Sequence, residues 1–143
     1  MPSKELIRIG QLALNFLLDG DDTNGQMVMF ELTIPAGAKV PVAHYHVDVD
    51  EALYGLEGEL SSVVDGKNIT IRPGDHYFIP RGIVHHHDNK GTANAKALCV
   101  LTPAFIGPAY FREIANAIKP GVPPDPAVIS EIMNRYGLIP SKG

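Results

Sequence analysis

Gly37-Ala38-Lys39-Val40-Pro41-Val42-Ala43-His44-Tyr45-His46-Val47-Asp48-Val49-Asp50-Glu51 is the stretch whose reading decides the fold, and Pro80-Arg81-Gly82-Ile83-Val84-His85-His86-His87-Asp88-Asn89 completes it. All six histidines of the chain lie between Gly37 and Asn89. Successive side chains of a strand point to opposite faces, so His44 and His46 share a face and Tyr45 leaves it. If Val47 to Asp50 forms a bend, Glu51 enters the next strand and faces the same interior. Asp48 and Asp50 read as solvated loop carboxylates. By the same alternation His85 and His87 share one face, and His86 points the other way, to solvent. His76 follows a turn and is assigned no role. Imidazole nitrogens with one carboxylate are a donor set that holds a borderline divalent transition metal.

Working outward, the rest of the chain reads as short strands punctuated by turns. Gln11 to Leu18 reads as a first strand. Gln26 to Ile34 alternates with period two, placing Val28, Phe30, Leu32 and Ile34 on one face, the mark of a half-buried strand. Lys39 to His46 is short, interrupted by Pro41 and suited to a rim or edge. Glu51 to Leu56, Glu59 to Val64, Asn68 to Ile71, His76 to Ile79, Ile83 to His87 and Ala95 to Thr102 follow. Asp65-Gly66 is a hairpin signal, because a type I′ turn needs positive φ at both central residues. Strands this closely spaced indicate a sandwich or barrel. Beyond Pro103 the pattern changes. Tyr110 to Lys119 puts Phe111, Ile114, Ala115 and Ile118 at helical spacing. A second helix begins at the N-cap Asp125 with Pro126 at its first position, carries Ile129, Ile132, Met133 and Tyr136 as a stripe, and ends near Gly137. Both stripes read as packing surfaces.

Composition sets the bounds. A chain of 143 residues suits one domain with a real core, and 45% apolar with 20% charged residues is ordinary for a globular protein. With a net charge of -4 and no Lys/Arg run, a nucleic-acid or anionic-membrane partner is not expected. The one cysteine, Cys99, lies in an apolar run and reads as a small buried hydrophobe. No apolar run approaches the roughly 20 residues of a membrane span. The N-terminus lacks a signal pattern, so the cytoplasm is the expected location.

The two quoted stretches resemble the paired motifs of the cupin family. Gly37-(six residues)-His44-Tyr45-His46-(four residues)-Glu51-(six residues)-Gly58 is similar to the first motif. Gly74-(five residues)-Pro80-Arg81-Gly82-Ile83-Val84-His85-(three residues)-Asn89 is similar to the second. Six residues separate Gly37 from His44 where the usual pattern has five, which shifts a turn and leaves the donors in place. The resemblance implies a mostly β, jelly-roll barrel (the cupin double-stranded β-helix) with two C-terminal α-helices, in one domain over residues 1–143. The barrel is expected over about 6–103 and the helical extension over about 104–143. It implies His44, His46, Glu51 and His85 as ligands of one divalent transition metal: Fe, Mn, Ni, Co, Cu or Zn. Pro108 to Glu113, the Pro123-Pro124-Asp125-Pro126 joint and Arg135-Tyr136-Gly137 look like the tail of small cupins similar to quercetin dioxygenases. A homodimer is implied as well, through the first strand or the helices.

Three neutral imidazoles and one carboxylate leave a divalent ion at about +1, which favours an anionic oxygen ligand. Four protein ligands on an octahedral ion leave room for substrate and for O₂ or water. Glu51 is the expected catalytic base. His87, Tyr54, Phe78, Phe30 and Val100 are expected, by strand phase, to line an apolar substrate pocket. These readings lead to a metal-dependent dioxygenase acting on a small enolisable or phenolic compound. An isomerase or lyase on a sugar or small acid, and a non-catalytic small-ligand binder, are the alternatives.

Overall fold

The molecule, seen in a computed structural model that describes residues 3–141, is a pair of facing antiparallel sheets with a helical tail. The strands are β1 (Glu5–Ile9), β2 (Leu12–Leu18), β3 (Val28–Ile34), β4 (His44–His46), β5 (Asp50–Glu57), β6 (Leu60–Val64), β7 (Lys67–Ile71), β8 (His76–Ile79), β9 (His85–Asp88) and β10 (Ala95–Thr102). Then come α1 (Pro108–Ala117), α2 (Pro126–Arg135) and a short β11 (Leu138–Pro140). One sheet has the order β1-β2-β3-β10-β5-β8, the other β11-β4-β9-β6-β7. This is the mostly β jelly-roll arrangement with two C-terminal helices that the sequence implies.

Period-two alternation builds the core. Val28, Phe30, Leu32 and Ile34 of β3 are all buried, as are Ala95, Ala97, Cys99 and Leu101 of β10, which pairs with it. Phe16, Phe30 and Phe111 pack as a trio with ring centroids 5.1 to 5.6 Å apart, joining β2, β3 and α1. Aromatic groups at such separations add attraction beyond the apolar area they bury. The β6–β7 hairpin turns at Asp65 and Gly66, both at positive φ (52° and 76°). Gly58 (φ 62°) is required where β5 meets the approach to β10, since a Cβ there would lie 2.1 Å from the Asn94 carbonyl oxygen.

Two strands lie outside the sequence reading. Glu5–Ile9 forms β1 and pairs with β2 across a Gly10 turn at φ 57°. Leu138–Pro140 forms β11 against β4. The remaining differences are of extent. The rim segment is regular only over His44–His46, with Lys39 making a lone bridge to Asp88. The helices behave as their caps indicate: Asp125 Oδ1 accepts the Ala127 amide at 2.9 Å, and Gly137 follows α2 at φ 79°. Glu113 binds Arg135 at 2.6 Å and accepts the Tyr136 hydroxyl, tying α1 to α2. Among the described residues no helix is long and apolar enough to cross a membrane.

Candidate metal centre

The two sheets each contribute to one interior site. His44 on β4 pairs directly with His85 on β9, and His46 lies two residues along β4. Glu51 comes from the opposite sheet, where β5 sits between β10 and β8. The bend between β4 and β5 is held by the turn of the second motif. The Gly82 amide donates to the His46 carbonyl at 2.8 Å, and Arg81 binds Asp50 through its amide and guanidinium at 2.8 to 3.2 Å. Asp50 is therefore not a solvated loop carboxylate. It is the first residue of β5, and its ion pair with Arg81 fixes the phase in which Glu51 points inward.

The three imidazoles of His44, His46 and His85 have ring centroids 4.7 to 5.1 Å apart. Each offers a ring nitrogen within 4.8 Å of the others. Glu51 Oε1 lies 3.5 Å from His85 Nε2 and 4.0 Å from His46 Nε2. A second group of donors, Glu51, His85 and His87, meets the same 4.8 Å limit. The four expected ligands and His87 thus converge on one small volume.

Local hydrogen bonds decide which nitrogens are free. His44 Nδ1 donates to the Val42 carbonyl at 2.8 Å, and His85 Nδ1 donates to the Ile83 carbonyl at 3.1 Å. In a neutral imidazole that leaves Nε2 as a lone pair. His85 Nε2 is buried without a close hydrogen-bond partner, Glu51 Oε1 lying 3.5 Å from it. A buried polar atom left unpaired costs stability unless something else occupies it. Burial, with His85 and His46 alongside, pulls the His44 pKa down to about 3. Burial pulls His46 down to about 4 although Glu51 opposes it. Burial also disfavours charge on His85, but the Glu51 carboxylate outweighs it and raises that pKa. Burial likewise opposes ionisation of Glu51, yet His85 and His87 hold its carboxyl well below the usual carboxylate range. Neutral imidazoles, an ionised carboxylate and an orphaned inward nitrogen are a donor set that fits a divalent metal.

The donors open onto a cavity between the sheets, with about 750 Å³ of free space including its mouth. Its wall is otherwise almost entirely apolar: Phe30 and Leu32 from β3, Tyr110 and Ile114 from α1, Met133 from α2, Leu138 from β11. Among the described residues lining it there is no lysine or arginine. Buried Cys99 lines it too, its thiol pKa raised well above normal by burial.

Of the residues expected to line the pocket, Phe30 and His87 do so. Tyr54 and Phe78 do not; they are 46% and 57% exposed. Glu51 faces inward, so Tyr54, three residues on along the same strand, must face outward. Phe78 pairs with Ala52 on that outer face, and Val100 is the cross-strand neighbour of Ala52, outside as well. His86 turns away from the cavity as expected but is half-buried, with Nε2 donating to the Val40 carbonyl at 2.9 Å. His76 lies exposed beside Tyr54. Asn89, the last residue of the second motif, is structural: its side chain donates to the Ile34 and Ala93 carbonyls at 2.8 and 2.7 Å and accepts the Gly91 amide at 2.9 Å. Ser62 was not foreseen. It is buried beside His87, and its signal was a polar residue in the inward phase of Leu60-Ser62-Val64.

Comparison with known proteins agrees with this construction. The family model described as Cupin domain matches residues 30–101. Quercetin 2,3-dioxygenase of Bacillus subtilis (strain 168) is 32% identical over 95 residues, which is 66% of this chain and 27% of that protein. A sugar phosphate isomerase from a cupin superfamily of Silicibacter pomeroyi superposes with a TM-score of 0.56 at 31% identity, over 64% of this chain and 59% of the other. A predicted oxalate decarboxylase of Thermotoga maritima superposes with a TM-score of 0.64 at 23% identity, over 72% of this chain and 99% of the other, a likeness of fold. This chain therefore spans about a quarter of the dioxygenase and under two thirds of the isomerase. With two facing sheets, inward histidines on β4 and β9, and a family match across half its length, the chain belongs to the cupin family.

Proposed function

We propose that the protein is a mononuclear metal-dependent oxygenase acting on a small enolisable or phenolic compound, with His44, His46, Glu51 and His85 as the metal ligands. The observation that carries the reading is the pairing of this donor set with an apolar cavity free of lysine and arginine among its described lining residues. A bound divalent metal would supply Lewis acidity and a redox-active centre for O₂. The residues do the rest. The cavity wall excludes water and packs against a hydrocarbon or aromatic body. Glu51 Oε1, on the side of His46 and His85, would hold the metal and, when free of it, would accept the proton of a substrate hydroxyl, while Oε2 stays bonded to His87 at 2.8 Å.

The likeness to a sugar phosphate isomerase favours a second reading, an isomerase or lyase using the same donors. A phosphorylated sugar carries fixed negative charge and several hydroxyls. Leaving these without partners in an apolar wall costs several kcal/mol, of the order of 1–3 kcal/mol per unpaired group. The wall described above therefore favours the phenolic or enolisable class.

The test is to load metal-free, untagged protein with each of Fe, Mn, Ni, Co, Cu and Zn and to follow O₂ uptake with phenols and 1,3-dicarbonyl compounds. Metal-dependent O₂ consumption is the expected result. Turnover that is equal with and without metal would overturn the reading. Anaerobic turnover of sugar phosphates would replace it with the second one.

A further inference from the structure

Glu51 is bonded from behind. His87 Nε2 lies 2.8 Å from Glu51 Oε2, and His87 Nδ1 lies 2.7 Å from Ser62 Oγ. All three residues are buried. Ser62 and His87 are direct cross-strand partners in the β6–β9 pairing, while Glu51 reaches them from the opposite sheet. The donor directions follow from the chemistry. A carboxylate can only accept, so His87 Nε2–H donates to Glu51. Nδ1 of that tautomer is an acceptor, and the Ser62 hydroxyl donates to it.

We infer that Ser62, acting through His87, is a positioning residue for Glu51: the pair engages Oε2 and leaves Oε1 alone to face the His46 and His85 imidazoles, making Glu51 a one-oxygen metal donor. This rests on the reading of Glu51 as a metal ligand and adds which of its oxygens is used and what enforces the choice. The strand partner of the proposed ligand His85 is Val64, not Ser62, and the only side-chain bond of Ser62 among the described residues is to His87. The Oε1 distances of 3.5 and 4.0 Å, against 2.8 Å for Oε2 to His87, show the division of labour between the two oxygens. Outer partners of this kind orient a ligand and tune its affinity.

The experiment uses the full chain and Co(II) as probe, with affinity read by chelator competition and coordination read from the visible absorption bands. Ser62→Ala removes one oxygen and is expected to weaken Co(II) binding about ten- to hundredfold and to alter the band pattern. Ser61→Ala, its neighbour on the outer face of the same strand, is expected to bind as the wild type does. His87→Phe is expected to weaken binding at least as much as Ser62→Ala. Adding Ser62→Ala to His87→Phe should cost nothing further, because Ser62 acts only through the imidazole. The inference is overturned if Ser62→Ala keeps wild-type affinity and bands, if Ser61→Ala weakens binding equally, or if the two substitutions add. Wild-type protein that binds no Co(II) would remove the metal centre and this inference with it, a result distinct from a silent Ser62→Ala in a metal-binding protein.

Discussion

Acidifying the metal-free protein should destabilise it well before its surface carboxylates protonate, and the cause is the imidazole pair on β4. His44 and His46 have folded pKa values of about 3 and about 4, against an ordinary 6.5. Both bind protons more readily unfolded than folded, so stability is full above pH 6.5 and is lost as the pH falls toward those folded values. Integrating the linkage relation from pH 8 to pH 5 gives a loss of about 2 kcal/mol for each group, about 4 kcal/mol together. His85 works against this. Its raised folded pKa contributes stability that is present below 6.5 and lost as pH rises through the folded value, so the net loss is somewhat smaller. Glu51, held low, adds its own loss only below the ordinary carboxylate pKa of 4.5. Against a total stability of roughly 5–15 kcal/mol for a domain, a loss near 4 kcal/mol is large.

The assay is urea unfolding followed by circular dichroism at fixed pH values from 8 to 4.5, in a chelating buffer. The expected unfolding free energy falls as the pH drops below 6.5, with a slope approaching about 1.4 kcal/mol per pH unit for each of His44 and His46, partly offset by His85. A His44→Gln/His46→Gln double variant should lose most of that slope. A flat profile in the parent protein between pH 7 and pH 5, or an unchanged slope in the double variant, would refute the claim that burial keeps these imidazoles neutral and ready to bind metal.

Three other outcomes are expected. Asn89→Ala should cost about 2–4 kcal/mol in chemical denaturation, because the Ile34 and Ala93 carbonyls and the Gly91 amide lose their partner; the folded fraction should still bind metal, and loss of metal without loss of stability would show that Asn89 is not structural. His85→Ala should abolish metal loading in elemental analysis while His86→Ala leaves it within about twofold, since His86 faces Val40 on the other side of the strand; equal losses would mean that the phase of β9 is misassigned. Tyr54→Ala and Phe78→Ala should leave metal content and turnover unchanged, being on the outer face of β5 and β8; a large rise in KM for either would put them back in the substrate pocket.

Much of the fold was legible because the strands obey a strict period of two. The alternation of Val28 to Ile34 gave β3 and its buried face directly, and Asp65-Gly66 gave the β6–β7 hairpin. What escaped was structure whose stability is not local. Three-residue β11 carries no periodic signal of its own and exists because α2 delivers Leu138 beside His46. β1 is five residues long and two of them, Glu5 and Arg8, are charged, so its inward Ile7 and Ile9 were too few to register until β2 was there to pair with them.

The site shows the same division more sharply. Spacing alone placed His44 with His46 and His85 with His87, because face is a property of one strand. Tyr54 and Phe78 were placed inside by strand phase, but in a phase that conflicts with the one Glu51 sets on β5. Counting from Glu51 would have placed Leu53 and Gly55 inside and Tyr54 outside, as found. Ser62 needed more than phase. A serine between inward Leu60 and Val64 marks a polar side chain that must find a partner, yet naming His87 requires the β6–β9 register, and naming Glu51 beyond it requires the distance between two sheets. Donor types are thus written in the chain, whereas the oxygen of Glu51 that faces the imidazoles is decided only when the sheets close on each other.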